Sequence, residues 1–390
     1  MVKKFLDLGK QPIANGFLNK EDFENEFFYN LSMGFDEDTF LVTQVEYVEK
    51  ERMFNDNYAY RGSMSKTMRD HFANVSRDLK ALLPATPKVL EIGSNDGVFL
   101  KNWDTTNTIA VEPCGNFAEE TNELGYYTYN SFWDNALSRD ILRRHGVQDL
   151  VFAANCMCHI PEIKDVFKAV RNVLSDEGVF VFEDPSLASM IMVNSYDQMY
   201  DEHAHIFSVL ALNNLLKQCD LKLVRVDHLG IHGGSNRIYA TIDSEENRVT
   251  QSVYDAVKYE FNMGLHTYGK FELFAAEVKR SRKHLRMILN ECKDKKKVIS
   301  YGATSKSTTV FNYCDIGTDL IEYITDTTPE KQGKYSPGMH IPIVTPEEGF
   351  NDSVDYAFLG AWNFAKEIIE KEKDFKGSFL THVPEVGFVV

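Results

Sequence analysis

Short apolar runs ending in a glycine or polar turn punctuate the middle of this chain, at residues 88–92, 108–111, 150–153 and 178–182, with helix-length stretches between them. This alternation predicts a parallel α/β sheet. An amphipathic pattern ahead of the first run predicts a helix over 64–83, stopped by Pro84 and Pro87. Residues 1–62 read differently: they are rich in Asn, Asp, Glu and Phe, and fragments such as 39–45 alternate between faces, which predicts a small, mainly β module. A charged stretch over 249–295, interrupted by Gly264 and Gly269, predicts two helices forming a connector. The strand rhythm restarts at 297–302 and continues at 320–325 and 356–359. The expected fold is therefore α/β, with a β module at 1–62, a central Rossmann-like domain at 63–245, and a helical connector with a second Rossmann-like domain at 246–390.

Composition narrows the partners. The chain has 390 residues, 43% hydrophobic and 26% charged, enough for several domains with cores of their own and too apolar for general disorder. With 42 basic against 58 acidic residues the net charge is −16, a field that repels phosphate backbones and anionic membrane surfaces. Nucleic acid is not expected as the main partner, although a local pocket of Lys, Arg and helix N-termini can still hold a small anion. No apolar run approaches the roughly eighteen residues of a membrane-spanning helix, and the first ten residues lack the apolar centre of a secretory signal. The six cysteines, at 114, 156, 158, 219, 292 and 314, form no paired framework and suit a reducing compartment, so a cytoplasmic protein is expected. Oligomeric state is left open.

The first apolar run closes in Glu91-Ile92-Gly93-Ser94-Asn95-Asp96-Gly97. Gly93 and Gly97 let the backbone pass close to a ligand at the carboxyl end of the sheet, where open α/β folds bind their ligands. A dinucleotide fold carries three glycines here to seat a pyrophosphate, and Glu91 replaces the first. A carboxylate suits a cationic or zwitterionic ligand better, and S-adenosylmethionine has a sulfonium, an ammonium and no phosphate. Glu112 ends the next strand nineteen residues after Gly93, close to the spacing of about twenty at which an acid meets ribose hydroxyls. Asn95 within the turn and Asn155 at the end of the fourth strand complete the expected cofactor set. His159 follows in Cys156-Met157-Cys158-His159, beside the ligand's reactive end; with no second pair of ligands at usable spacing, the cysteines read as small buried residues and no metal is expected.

Several segments together resemble the bacterial C-methyltransferases that act on nucleotide-linked ketosugars in deoxysugar biosynthesis. They are Leu8 to Asn15, Tyr58-Ala59-Tyr60-Arg61-Gly62-Ser63, Val89 to Leu100, Tyr196 to His203, His232 to Arg237, Tyr301 to Lys306, Lys331-Gln332-Gly333 and Ala361-Trp362-Asn363, in the family's order across nearly the whole chain. Two departures stand out. The family's N-terminal zinc site uses two cysteine pairs, and no cysteine precedes Cys114, so the module is expected to be of degenerate type without zinc. Ser305-Lys306-Ser307-Thr308-Thr309 also replaces the family's usual Ala-Lys-Gly-Asn-Thr.

The resemblance implies a central class I methyltransferase domain and assigns roles. Methylation of carbon next to a ketone needs a base for the α-proton and support for the enolate oxygen. His203 is the implied base, since imidazole titrates near neutrality. Glu202 is its implied orienting partner or a second proton acceptor, and Tyr200 and Tyr60 are implied hydroxyls flanking the sugar. Expected substrate contacts are His159, His232, Asn236, Arg237, whose guanidinium can grip a diphosphate, and Lys306 at a helix N-terminus. Two other readings stay open: an O- or N-methyltransferase on a nucleotide sugar, in which the base assists a heteroatom, and a sugar-nucleotide-binding protein that has lost catalysis.

Overall fold

The computed structural model describes every residue except Asn57, Ala59, Val390 and the side chain of His232. Its strands are β1 (Val2–Pro12), β2 (Phe28–Asp36), β3 (Leu41–Gln44), β4 (Val89–Ile92), β5 (Thr108–Val111), β6 (Tyr127–Tyr129), β7 (Gln148–Ala154), β8 (Leu174–Pro185), β9 (His205–Ile206), β10 (Leu221–Leu229), β11 (Ser235–Ile242), β12 (Val298–Tyr301), β13 (Ile324–Thr325), β14 (Ile343–Val344), β15 (Tyr356–Leu359), β16 (Ser378–Thr381) and β17 (Gly387–Val389). Among the described residues they form three sheets, ordered β1-β2-β3-β9, β10-β11-β8-β7-β4-β5-β6 and β14-β13-β12-β15-β16-β17.

The central sheet is the predicted Rossmann-like layer. β4 to β8 run parallel, while β11 is antiparallel to β8 and β10 to β11. Its parallel strands are buried almost without interruption, as expected when helices cover both faces. Strand order reverses at β4, between β5 and β7, and β4 is the strand that feeds the glycine turn. The predicted helix at 64–83 is Lys66–Lys80, capped where the Ser65 hydroxyl accepts from the Met68 N–H, and it buries Met68, Phe72, Val75 and Leu79 against the sheet.

Three details differ from the sequence pattern. The N-terminal sheet is completed by β9, whose two residues come from the central region: Val42 pairs with Ile206 and Thr43 with His205. The connector breaks once, at Gly264 with φ of +80°, while Gly269 lies inside the second helix, Tyr268–Cys292. The run at 320–325 yields only the two residues of β13, because residues 317–321 turn instead, with Leu320 and Ile321 N–H both donating to the Gly317 carbonyl.

Residues 18–26 of the N-terminal region meet residues 335–340 of the last region. Leu18 and Tyr335 exchange backbone hydrogen bonds at 3.1 and 2.9 Å, Glu26 accepts from the Gly338 N–H and pairs with His340 Nε2, both at 2.7 Å, and Phe23 stacks on His340 at 3.7 Å. A largely apolar core cluster runs from Leu6 and Phe35 through Tyr196 and Met199 to Phe311 and Leu380, joining the outer two sheets behind the site.

Candidate active site

A cavity of about 1050 Å³ opens at the carboxyl end of the central sheet, lined by residues from all three regions. It exceeds the roughly 300–1,000 Å³ typical of a site for one small ligand, which leaves room for a cofactor and a second molecule. Glu91, Gly93, Asn95, Glu112 and Asn155 line it together. Gly97 stands behind the turn at φ +76°, where a Cβ would lie 3.1 Å from Thr121.

The glycine turn is tied down by its own acids. Glu112 accepts from the Asn95 N–H at 2.7 Å and the Cys114 N–H at 2.9 Å. Asn95, at φ +48°, donates through Nδ2 to the Tyr60 carbonyl and accepts from the Gly62 N–H, both at 2.9 Å, so the turn also positions the segment carrying Tyr60. Gly93 sits at φ +73°, and a Cβ there would come within 2.9 Å of Cys156 Sγ. Burial, with Glu112 and Asp96 close by, raises the Glu91 carboxyl well above its ordinary range. Its Oε2 is a buried acceptor without a partner among the described residues. A ligand ammonium would satisfy that oxygen, so the residues fit S-adenosylmethionine.

Opposite the turn stands the loop after Tyr196. His203 Nδ1 lies 2.6 Å from the Gln198 carbonyl and must carry a proton to meet it; Nε2, the basic nitrogen, lies 2.9 Å from the Tyr200 hydroxyl. The orienting partner of His203 is thus the Gln198 carbonyl. Glu202, expected in that role, turns elsewhere: its oxygens accept from Asn15 Nδ2 at 2.6 Å and the Tyr58 hydroxyl at 2.9 Å. Burial raises the Glu202 carboxyl, and the charge of Lys306 opposes the shift. Burial holds the Tyr200 phenol well above its usual range, and burial with nearby Asp96 and Glu202 pushes Tyr60 up to about 12, so both hydroxyls keep their protons at neutral pH.

His159 lies between Phe54 and His203, 5.3 Å from each ring, and burial lowers it to about 3, which keeps it a neutral imidazole. Lys306 reaches the cavity from the helix Ser305–Cys314, and burial lowers its ammonium despite the charges of Asp197 and Glu202.

Arg237 and Asn236 do not join the site. Arg237 in β11 is the register partner of Glu183 in β8, and its Nε lies 2.5 Å from that carboxylate, whose other oxygen is 2.7 Å from His71 Nε2. Burial opposes ionisation of Glu183, yet the hydrogen bond with His71 and the Arg237 guanidinium hold it below its ordinary range. A guanidinium committed to a buried carboxylate is not offered to a phosphate, and Arg237 does not line the cavity. Asn236 is likewise turned away, to His228 Nδ1 at 3.2 Å. His232 lies outside the described side chains.

Four residues that line the cavity were not assigned from sequence: Asn15, Tyr58, Gln198 and Lys331, the last also donating to the Ala303 carbonyl at 2.8 Å. All four stood inside the segments that carried the family resemblance, which was the available signal. Cys158, His159 and His203 bring their ligand atoms within 4.8 Å of one another, but Cys158 does not line the cavity and the His203 nitrogens already have partners.

Family models match the chain nearly end to end: a putative zinc binding domain at residues 1–54, a methyltransferase domain at 60–226 and a C-methyltransferase C-terminal domain at 230–384. The first of these stretches contains neither cysteine nor histidine, so its residues do not fit a zinc site of the usual ligands. Among solved structures, S-adenosylmethionine-dependent methyltransferases from Anabaena variabilis (12% identity, TM-score 0.37, 46% of this chain and 86% of that one) and Clostridium acetobutylicum (14%, 0.36, 47% and 94%) align with it. The C-methyltransferase NovU of Streptomyces niveus is 30% identical over 97% of this chain and 92% of its own length. That relationship decides for carbon over oxygen or nitrogen and for an enzyme over a silent binding protein. With a cofactor cradle that suits S-adenosylmethionine and a full-length curated relative, the chain belongs to the S-adenosylmethionine-dependent C-methyltransferases.

Proposed function

We propose that the enzyme methylates the carbon next to the ketone of a nucleotide-linked sugar, through an enolate formed by the loop at 200–203. The observation that carries this reading is the Tyr200–His203 pair, a basic imidazole nitrogen with a phenol on its lone pair, facing the cavity that holds the glycine turn. S-adenosylmethionine, when bound, supplies a methyl group on a sulfonium and departs as a neutral thioether.

The residues then act as follows. Tyr200 Oη accepts the α-proton as its own proton passes to His203 Nε2, and the Gln198 carbonyl stabilises the resulting imidazolium through Nδ1–H. The electron pair of the broken C–H bond moves into the enolate, whose oxygen takes a hydrogen bond from the protonated Tyr60 hydroxyl. The enolate carbon would take the methyl group that bound S-adenosylmethionine supplies, with the C–S electron pair left on sulfur, and the ketone would re-form. Glu202, held by Asn15 and Tyr58, receives a sugar hydroxyl, while neutral His159 packs against the ring. Lys306, with the helix N-terminus behind it, binds the diphosphate. The division into a module at 1–62, a methyltransferase domain at 63–245 and a substrate domain at 246–390 is part of this proposal, as is a cytoplasmic setting where nucleotide sugars are made.

A screen of nucleotide ketosugars for a mass gain of one methyl identifies the substrate. Incubating that substrate with enzyme and S-adenosylhomocysteine in deuterated water then tests the chemistry. Deuterium entering the α-carbon supports enolisation; a methylated product with no exchange under any condition overturns it.

A further inference from the structure

We propose that Gln44, the last residue of β3, positions the proton-transfer loop, so that this side chain of the N-terminal module contributes to turnover without itself touching either ligand. The inference rests on the reading of 200–203 as the catalytic loop. Gln44 Nε2 donates to the carbonyls of Tyr200, Asp201 and His203 at 2.8, 3.2 and 2.9 Å. A single side-chain nitrogen therefore gathers three carbonyls of one short loop that lies 156 residues or more along the chain. Both groups are buried, Gln44 at 2% exposure and His203 at 4%. Gln44 itself does not line the cavity.

Neighbouring contacts brace the same loop from the same module. The Gln44 N–H donates to the Ala204 carbonyl at 2.8 Å, the Thr43 hydroxyl donates to that carbonyl at 3.1 Å, and β9 pairs directly with β3. The Ala14 N–H donates to Asp201 Oδ1 at 2.9 Å. The loop is thereby curled so that Tyr200 and His203 side chains meet, instead of running on as an extended strand in which residues three apart point to opposite faces. Removing the donors takes one hydrogen bond from each of three buried carbonyls, of which that of Tyr200 keeps the His203 N–H at 3.0 Å, and the loop relaxes away from the geometry that proton transfer requires.

The test compares Gln44→Met, of similar length without donors, with Gln44→Lys, whose ammonium has one N–H for each carbonyl. Three quantities are read: kcat and KM on the substrate found in the mass screen, S-adenosylmethionine affinity by calorimetry, and the His203 imidazole nitrogen signals by NMR. The expected result is a fall in kcat of at least about tenfold for Gln44→Met, with cofactor affinity and KM within about twofold and altered His203 signals, and recovery of most of the turnover in Gln44→Lys. Wild-type kcat in Gln44→Met overturns the proposal, and so does equal loss in both variants, which would mark a packing role. His203→Ala is measured alongside: if it turns over normally, the catalytic reading itself fails, whereas a dead His203→Ala with an active Gln44→Met defeats only the role of Gln44.

Discussion

Tyr200 and His203 form a dyad in which the phenol oxygen lies 2.9 Å from Nε2, with Gln198 fixing the opposite nitrogen of the ring. The pair cannot be separated functionally if the proton travels through both. Tyr200→Phe and His203→Ala should therefore each lower turnover by at least about 10²-fold, within the usual range for a general base, while leaving S-adenosylmethionine affinity near wild type. Steady-state kinetics and calorimetry check this; full activity in Tyr200→Phe would mean that His203 takes the proton directly.

His205 is the contrasting histidine. Its Nδ1 lies 2.9 Å from the Thr43 hydroxyl and its Nε2 3.1 Å from the Pro161 carbonyl, and burial lowers it to about 4. Replacement by Ala leaves both partners short, so stability should drop by about 1–3 kcal/mol, with much less effect on kcat than His203→Ala. Denaturant unfolding measures the first and kinetics the second.

Gly93 is constrained twice, by φ of +73° and by Cys156 Sγ, which a Cβ would approach to 2.9 Å. Gly93→Val should displace the turn and abolish measurable cofactor binding while circular dichroism still reports a folded chain. A folded variant with unchanged affinity would remove the turn from the cofactor site.

Glu260 supplies a pH dependence. It accepts from the Val209 and Leu210 N–H groups at 3.0 and 2.9 Å, and burial raises its carboxyl from 4.5 to about 7. The folded state holds this proton more tightly than the unfolded state. Its contribution to stability is therefore complete below pH 4.5 and is lost as pH rises through about 7. Glu260→Gln, neutral throughout, should flatten the fall of Tm over that window; an unchanged slope would place the titration elsewhere.

Zinc offers a sharper yes or no. Residues 1–54 match a putative zinc binding domain yet contain no cysteine or histidine. Elemental analysis of protein purified without chelators should find far less than about one zinc per chain, and chelator treatment should leave Tm unchanged. About one zinc per chain would point to carboxylate ligands or to the group at Cys158, His159 and His203.

What could be read from sequence was local. The turn at Gly93 and Gly97 announces itself because positive φ leaves glycine as the easy choice, and β5 ends where its apolar run ends. Arg237 misled because its partner Glu183 lies 54 residues earlier, on a strand whose register no spacing rule reveals. Asn15 reaches Glu202 across 187 residues, and β9 is two residues long, too short for any periodicity. The glycine turn is a property of one segment, while the proton-transfer half of the site is assembled from distant ones.

That assembly bears on how such enzymes can exchange parts. Ala14, Asn15 and Gln44 are hydrogen-bonded to residues 200–203, so a recombination crossover anywhere between residues 45 and 199 would pair the first strands of one parent with the loop of another. Shuffling between relatives should then yield active chimeras chiefly when both segments come from the same parent, even if the intervening cofactor domain does not. The inherited unit of function in this chain is discontinuous, and its two pieces are expected to vary together.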